Sequence, residues 1–397
     1  MHADLPAPSA DARAASAELT RRIADEIAAS GWLSFARYME LALYAPGLGY
    51  YAGGAHKFGD GDSGGDFLTA PELTSLFGQA LARQVAQVLT ASAPLVIEAG
   101  AGSGRLAADL LPALDALGCA PARYCILELS GELRARQAQT ISQHAPQYLA
   151  RVDWLDTLPE KFSGCLIGNE VLDAMPTHAV RWSDDGLLER GVGLAAGQFV
   201  TVERPAGAAL REAAESIPVH APYRGEISLA VRAWVAELAR RLETGAMILL
   251  DYGLPRRELY HPQRDGGTVR CHYRHRVHDD PFWYPGLSDI TSHVDFTAVA
   301  EAGFDAGLSV LGYTNQAQFL INCGMGELLQ EKLGTPRVLP AGRAGETVTK
   351  AHLRAQGAVS MLLSPNEMGE LFKVIALGRG IPQTLLGFTR GDRVHAL

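Results

Sequence analysis

The chain has 397 residues, and at roughly 150 residues per domain it holds two to three units or one enlarged α/β domain with insertions. Hydrophobic residues make up 47% and charged residues 20%, a globular balance that excludes global disorder. With 35 Lys+Arg against 44 Asp+Glu the formal charge is −9, so a nucleic acid, bound through phosphate neutralisation, is not the expected partner and a cationic substrate is.

Residues 1–16, rich in Ala, Pro and Asp, are expected to form a frayed end. Leu19, Ile23 and Ile27 recur at four-residue steps and predict an amphipathic helix closed by Gly31. Ser34 is placed to cap a second helix running to about Leu43, stopped by Pro46 and Gly47. The glycine-dense stretch that follows reads as a long loop, and loops of this kind in compact proteins are usually functional or mobile. Helical periodicity resumes from Leu73 to about Leu89. Short apolar runs at 95–100, 124–130, 165–170 and 246–253 predict buried strands. A helix between the first two closes at Gly118, with Pro112 expected to bend it. Strand, helix and strand in that order imply a right-handed crossover and a parallel sheet. The insertion before the fourth strand contains a hairpin expected to turn at Asp185 and Gly186, then a helix with Ala230, Trp234, Leu238 and Leu242 on one face. Two more strands are read at 308–313 and 371–378, separated by helical sequence.

Five cysteines (Cys119, Cys125, Cys165, Cys271, Cys323) without a CxxC pair argue against a disulfide framework and a structural zinc site, and for a reducing compartment. The first residues lack the apolar stretch of a secretory signal and carry Asp4, Asp11 and Glu18, which transit peptides avoid. No run of about 18 apolar residues is present, so no membrane span is expected. These features place the chain in the cytoplasm.

The segment VIEAGAGSGRL sets Glu98, Gly100, Gly102 and Gly104 where the first sheet strand turns into its helix. Glycine belongs there because the backbone turns sharply with φ > 0 and approaches a ligand closely. Such a turn serves nicotinamide and adenosylmethionine sites alike, and some glycine turns are purely structural. Two details separate the cofactors: a dinucleotide fingerprint requires glycine where Arg105 stands, and the leading acid Glu98 would repel a pyrophosphate but attract a cationic sulfonium. Glu128, ending the second strand, is placed to accept hydrogen bonds from ribose hydroxyls, unless it is a solvated strand-end carboxylate.

Asn169, Glu170 and Asp173 follow the third strand, where ligands bind in open α/β sheets. Glu170 and Asp173 can point the same way and grip a guanidinium, or can simply complement a helix dipole. Asp251 has the same position after the next strand. Asp66, Thr69 and Glu72 flank the glycine-dense loop as a cofactor or substrate lid, although Thr69 and Glu72 also have capping-box spacing. In CHYRHRVHDD, Cys271, His272, His275 and His278 invite a metal, but Arg270, Arg274 and Arg276 between them oppose a dication and favour a polar loop or acidic-ligand clamp. Asp289, His293 and Asp295 form a last polar cluster, in which Asp295 is also placed to cap a helix from Phe296.

Taken in order, ALYAPGLGYY, GDFLTAPELTSLFG, EAGAGSGRL, NEVLDAMPTH, LLDYG, TVRCHYRHRVHDD, PGLSDITSHVDF and SPNEMGELF resemble the MidA family of methyltransferases over about residues 33–378. Mitochondrial members of that family assist assembly of respiratory complex I. The resemblance implies a class I methyltransferase (Rossmann-like) fold with S-adenosyl-L-methionine as cofactor. It further implies methyl transfer to a protein arginine, a complex I subunit in the mitochondrial members, where symmetric dimethylation is credited. On the matching motifs, Glu98, Gly100, Gly102, Gly104, Glu128 and Asp66 would serve the cofactor; Glu170, Asp173 and Asn169 catalysis; and Asp251, His275 and His293 the substrate. No metal is implied. His275 and His278 match family positions, whereas Cys271 and His272 stand where mitochondrial relatives carry other residues. The N-terminus lacks a presequence, which fits a bacterial cytosolic relative.

The expected architecture is therefore a seven-stranded, mostly parallel sheet within 91–397, with insertions at 178–245 and 315–365. An N-terminal helical cap and glycine-rich lid over 17–90 precedes it, after a disordered tail at 1–16. Two other readings stay open: a non-catalytic assembly factor that binds the nucleoside, and a nicotinamide-dependent oxidoreductase on the same sheet.

Overall fold

The computed structural model describes residues 5–53, 69–333, 350–382 and 384–397. Its centre is a sheet built from β1 (Leu95–Ala99), β2 (Arg123–Leu127), β3 (Val152–Leu155), β4 (Phe162–Asn169), β5 (Leu242–Leu254), β6 (Ser309–Asn315) and β7 (Phe372–Arg379), in the spatial order β3-β2-β1-β4-β5-β7-β6. Neighbours pair in parallel except for β7, which runs antiparallel to both β5 and β6. A two-residue strand, Val294–Asp295, adds to the end of β5. The strand sequences are apolar on both faces because both are covered. Val96 faces a core shared with the helices Ser75–Ala91 and Arg105–Ala116, while its neighbour Ile97 faces one shared with Leu229–Arg241 and Phe296–Asp305. The strand order reverses between β1 and β4, and the crevice at their carboxyl ends is where such sheets bind ligands.

The N-terminal region corrects the expected frayed end. From Ala10 the chain is helical to Ser30, capped by the Ser9 hydroxyl accepting from the Ala12 amide. Ser16 is already buried, and the alanine-rich sequence has the propensity to extend the helix this far back. Gly31 closes it in the left-handed conformation, and Ser34 caps Phe35–Tyr44, both as expected. A break at Thr74 divides the next helical stretch into Ala70–Leu73 and Ser75–Ala91.

Between β4 and β5 lies an antiparallel sheet of His178–Ser183, Gly186–Ala195, Gln198–Pro205 and Tyr223–Ile227, joined at its edge by Leu33–Ser34. Its first hairpin turns at Asp184 and Asp185, one residue before the expected position, because Ser183 pairs with Gly186. The following helix, Leu229–Arg241, buries Val231, Val235, Leu238 and Ala239 against the central sheet, and Leu242 already belongs to β5. The expected face is thereby rotated: Ala230 and Trp234 point instead toward the cavity described below. A second excursion, between β5 and β6, forms a small sheet of Arg270–Tyr273, Arg276–His278 and Asp289–Thr291. No helix among the described residues is long and apolar enough to cross a membrane.

The excursion is pinned to the core by Arg256, a buried guanidinium. It donates to Asp295 Oδ2 at 3.0 Å and to both Glu301 oxygens at 2.7 and 2.6 Å. Asp295 in turn caps the helix Phe296–Asp305 through the Ala298 amide at 3.0 Å. Substituting Arg256 with Ala leaves the Asp295 carboxylate buried without its cation, and we expect a loss of about 3 kcal/mol or more in urea unfolding; a change within error would show that solvent compensates the ion pair.

Candidate functional site

Across the carboxyl ends of β1, β2, β4 and β5 lies a cavity of about 930 Å³, at the large end of the range for small-molecule sites. One end is built by the β1 turn. Gly100, Gly102 and Gly104 have φ of 67°, 52° and 85°, the left-handed region that glycine adopts freely. A Cβ on Gly100 would lie 2.8 Å from the Val171 side chain, and one on Gly104 would lie 2.9 Å from the Gln137 backbone. The glycines therefore let the turn seat against its own neighbours as well as leave its cavity face bare. Glu128 lines the same end, its carboxylate fixed by the Ser130 amide at 2.9 Å and the Gln137 side chain at 3.2 Å. Glu98 is buried beneath the turn and accepts from the Tyr124 hydroxyl at 2.7 Å. Burial pushes its carboxyl up to about 7, partly offset by that hydrogen bond.

The other end is built by the segment after β4. Glu170, Asp173 and Asn169 all line the cavity, so the structure brings the three residues together as the spacing anticipated. No helix starts here, which removes the helix-dipole explanation for the two acids. Glu170 has φ of 55°, a left-handed conformation held in a residue that seldom adopts it. Its carboxylate accepts from Asn169 Nδ2 at 3.0 Å and from the Tyr252 hydroxyl at 3.4 Å. Burial first, and then the Asp251 carboxylate, push Glu170 up to about 8, against hydrogen bonds from Asn169, the Ala70 backbone and Tyr252. Asp173 is likewise pushed well up, by burial and by Asp251, Asp289 and Glu170. Asn169 Oδ1 is buried without a partner among the described residues, an acceptor that a donor group in the cavity would satisfy.

Three expectations are corrected. Asp251 does not line the cavity. It is fully buried beneath it, and its Oδ2 gathers the amides of Val171, Leu172 and Asp173 at 3.1, 2.7 and 3.2 Å, while Oδ1 takes the Tyr252 amide at 2.8 Å. It shapes the segment that carries the acids and is not itself part of the cavity lining. His275 sits at the exposed turn of the hairpin Arg270–His278, with φ of 62°, because the strand pairing turns it outward. His293 lines a separate cavity of about 30 Å³ with Asp295 and Tyr260. His272, set apart as a departure from the relatives, is the histidine that lines the large cavity. Asp66 lies outside the described residues. The capping box does not form: the Thr69 side chain makes no cap, and Glu72 accepts instead from the Ser103 hydroxyl. Among the described residues no group of three or more His, Cys, Asp or Glu side chains is placed to hold a metal.

Sequence reasoning missed the aromatic wall. Tyr44 and Tyr51 stack at 5.5 Å, Tyr44 donating to the Ala174 carbonyl at 2.9 Å and Tyr51 to Asp289 Oδ1 at 2.9 Å, and Tyr252 also lines the cavity. The run of tyrosines in ALYAPGLGYY just before the glycine-dense loop was the available signal.

The charge of the cavity decides its chemistry. Among the described residues seven acidic side chains line it (Glu72, Glu98, Glu128, Glu132, Glu170, Asp173 and Asp289) against one guanidinium, Arg105, which is paired with Asp109 at 2.9 Å, and one imidazole, His272. A pyrophosphate would meet this wall at high electrostatic cost, whereas a sulfonium or guanidinium is favoured. The donor set therefore fits S-adenosyl-L-methionine and not a dinucleotide.

Fold and site together define a Rossmann-like methyltransferase that uses S-adenosyl-L-methionine. Residues 80–314 match the profile of an S-adenosyl-L-methionine-dependent methyltransferase family, and the chain belongs to that family, the MidA-like methyltransferases. The chain is similar to a COG1565 superfamily member from Burkholderia thailandensis whose crystal structure holds S-adenosyl-homocysteine. The two are 50% identical with a TM-score of 0.92, over 99% of this chain and 100% of that one. It is also similar to the protein arginine methyltransferase NDUFAF7 of mouse mitochondria, 28% identical over 90% of this chain and 84% of the relative. The zebrafish protein of the same name is 27% identical over 90% and 86%.

The raised carboxyls make a pH prediction for the ligand-free chain. With folded values of about 7 for Glu98 and about 8 for Glu170 against an ordinary 4.5, the folded state keeps protons that the unfolded chain releases. Their contribution is therefore full below the unfolded value and is lost as pH rises through 7 and 8. Urea midpoints for Glu170→Gln, whose amide cannot ionise, should fall less steeply with pH across this window than those of the native chain. Identical slopes would show that Glu170 is not held protonated.

Proposed function

We propose that this chain transfers methyl groups from S-adenosyl-L-methionine to a nitrogen of a protein arginine. The observation that carries the reading is half-buried Glu170 and buried Asp173 facing the same cavity as the glycine turn, with Tyr44, Tyr51 and Tyr252 also lining it. The arginine methyltransferase names of the mitochondrial relatives support it.

The cofactor supplies an electrophilic methyl on a cationic sulfur. Gly100, Gly102 and Gly104 would hold it, with Glu128 accepting from ribose hydroxyls and Glu98 balancing charge beneath the turn. Glu170 and Asp173 would bind the acceptor guanidinium by charge-assisted hydrogen bonds, the strong class, while the free Asn169 Oδ1 takes a further N–H. The tyrosines Tyr44, Tyr51 and Tyr252 line the same cavity and would favour a cation there.

An arginine side chain titrates above about 12, so its nitrogen must be freed of a proton as it attacks. An N–C bond forms, the S–CH₃ bond breaks, and one N–H proton leaves. A Glu170 carboxylate held ionised by the bound cation localises positive charge away from the attacking nitrogen and accepts that proton at Oε1 or Oε2. Its raised affinity for protons suits the acceptance. Most of the acceleration comes from alignment, which is worth on the order of 7–11 kcal/mol for well-oriented reactants. A bacterial cytosolic protein homologous to a complex I subunit is the acceptor that the family resemblance suggests.

Two measurements test this. Glu170→Gln should lower methyl transfer by about 10²–10⁴-fold while calorimetry shows nearly unchanged affinity for S-adenosylhomocysteine; parallel loss of both would move Glu170 from catalysis to the cofactor. Methyl-arginine proteomics of wild-type and deletion cells should reveal at least one arginine methylated only in the presence of the chain. An unchanged methyl-arginine inventory would reject the arginine acceptor.

A further inference from the structure

Behind the cofactor end of the cavity stands a polar side chain that does not line it. Gln137, on the helix Gly131–His144, is fully buried. Its helix lies so close to the glycine turn that a Cβ on Gly104 would come within 2.9 Å of the Gln137 Cα. Gln137 Nε2 donates to the Gly102 carbonyl at 3.2 Å and to Glu128 Oε2 at 3.2 Å, while its Oε1 accepts from the Trp154 indole Nε1 at 2.9 Å. Trp154, on β3, does not line the cavity either.

The orientation of this amide follows from its partners. An indole N–H only donates, whereas a carbonyl and a carboxylate only accept, so the amide oxygen faces Trp154 and both of its N–H groups face the cofactor end. Turned over, the amide would set its oxygen against a carboxylate and its N–H groups against another donor. The second oxygen of Glu128 is held as well, by the Ser130 amide at 2.9 Å. Each oxygen thus carries one of these donors and retains a further lone pair, an arrangement that suits two neighbouring hydroxyls. The backbone of Glu128 is secured separately. Arg134 donates through Nε to the Glu128 carbonyl at 2.7 Å and through Nη2 to the Leu155 carbonyl at 3.0 Å, which ties the ends of β2 and β3 together. Loss of the Gln137 amide therefore loosens the carboxylate and not the chain that bears it.

We infer that Gln137, oriented by Trp154, is a positioning residue that fixes the Glu128 carboxylate for the paired hydroxyls of the cofactor's ribose, so that two side chains outside the cavity set the preference for ribose over deoxyribose. The inference rests on the reading of Glu128 as a ribose acceptor given above, and on the hydrogen bonds of Gln137 for the rest.

The test is calorimetry of the full chain with S-adenosylhomocysteine and with its 2′-deoxy analogue, read as the ratio of the two affinities. The native chain should prefer the ribose ligand by about tenfold or more, and Glu128→Ala should abolish the preference. Gln137→Met, which keeps the length of the side chain but removes its N–H groups, should reduce the preference to within about threefold. Trp154→Phe leaves Gln137 Oε1 buried without its donor, which favours an amide swung off the carboxylate, and should lower the ratio by a smaller factor. A merely structural Gln137 would weaken both ligands alike. An unchanged ratio in Gln137→Met, or equal affinity of the native chain for the two ligands, therefore overturns the inference. If Gln137→Met does not fold, the ratio in Trp154→Phe decides alone; if it folds with a lowered ratio that Trp154→Phe does not share, the role of Trp154 is rejected. A preference that survives Glu128→Ala rejects the ribose reading of Glu128 and the inference with it, whereas one lost in Glu128→Ala and kept in Gln137→Met rejects the inference alone.

Discussion

The site depends on one buried carboxylate that does not line its cavity. Asp251, at the end of β5, collects three consecutive backbone amides from the segment that follows β4, and a fourth from its own neighbour. Four N–H groups converging on one anion stabilise its charge against desolvation, which nevertheless holds its carboxyl up to about 7. The reward for that burial is geometric. The segment after β4 is forced into a tight curl, Glu170 is held with φ of 55°, and the side chains of Glu170 and Asp173 are turned into the same cavity. Without that anchor the amides would lose their acceptor, at a cost comparable to several hydrogen bonds, and no local preference of the sequence would keep a glutamate left-handed.

From this follows the electrostatic character of the cavity. Glu170 and Asp173 sit in a low-dielectric wall, where burial and Asp251 raise the proton affinity of both and Asp289 and Glu170 raise that of Asp173 further. Such a cluster is stable in only two ways: it retains protons, or a cation enters. The raised carboxyls of Glu170 and Asp173 favour the first course without a ligand, and the crowding of the acids favours the entry of positive charge. The methyl donor of the family carries such a charge on its sulfur, and a relative at 50% identity holds the corresponding demethylated product, S-adenosyl-homocysteine.

Much of this was legible in the residues. The E-x-G-x-G-x-G turn with Arg105 in place of a glycine, Glu128 at the next strand end, and Asn169, Glu170 and Asp173 at the third all face one cavity because strand ends in a parallel sheet converge on one edge, a property of topology that local sequence already implies. What misled was proximity along the chain. Asp251 looks like a strand-end ligand residue by the same rule, but its strand carries it beneath its neighbour's turn. His275 and His293 flank polar motifs, yet hairpin register sends one to solvent and the other to a separate small cavity. Thr69 and Glu72 have capping spacing, yet Glu72 is drawn off by Ser103 from the glycine turn.

The sequence by itself determined the parallel α/β sheet, the cofactor turn and the acidic character of the site, since apolar runs, glycine positions and the absence of a dinucleotide fingerprint are local patterns with local physical causes. Only the tertiary structure decided which acids touch the cavity and which support it from below, and which tyrosines and which histidine wall it. Those assignments depend on contacts between segments far apart in the chain, such as Tyr51 with Asp289 and Asp251 with Leu172. No residue type or spacing encodes them until the sheet, the N-terminal helices and the inserted strands have packed together.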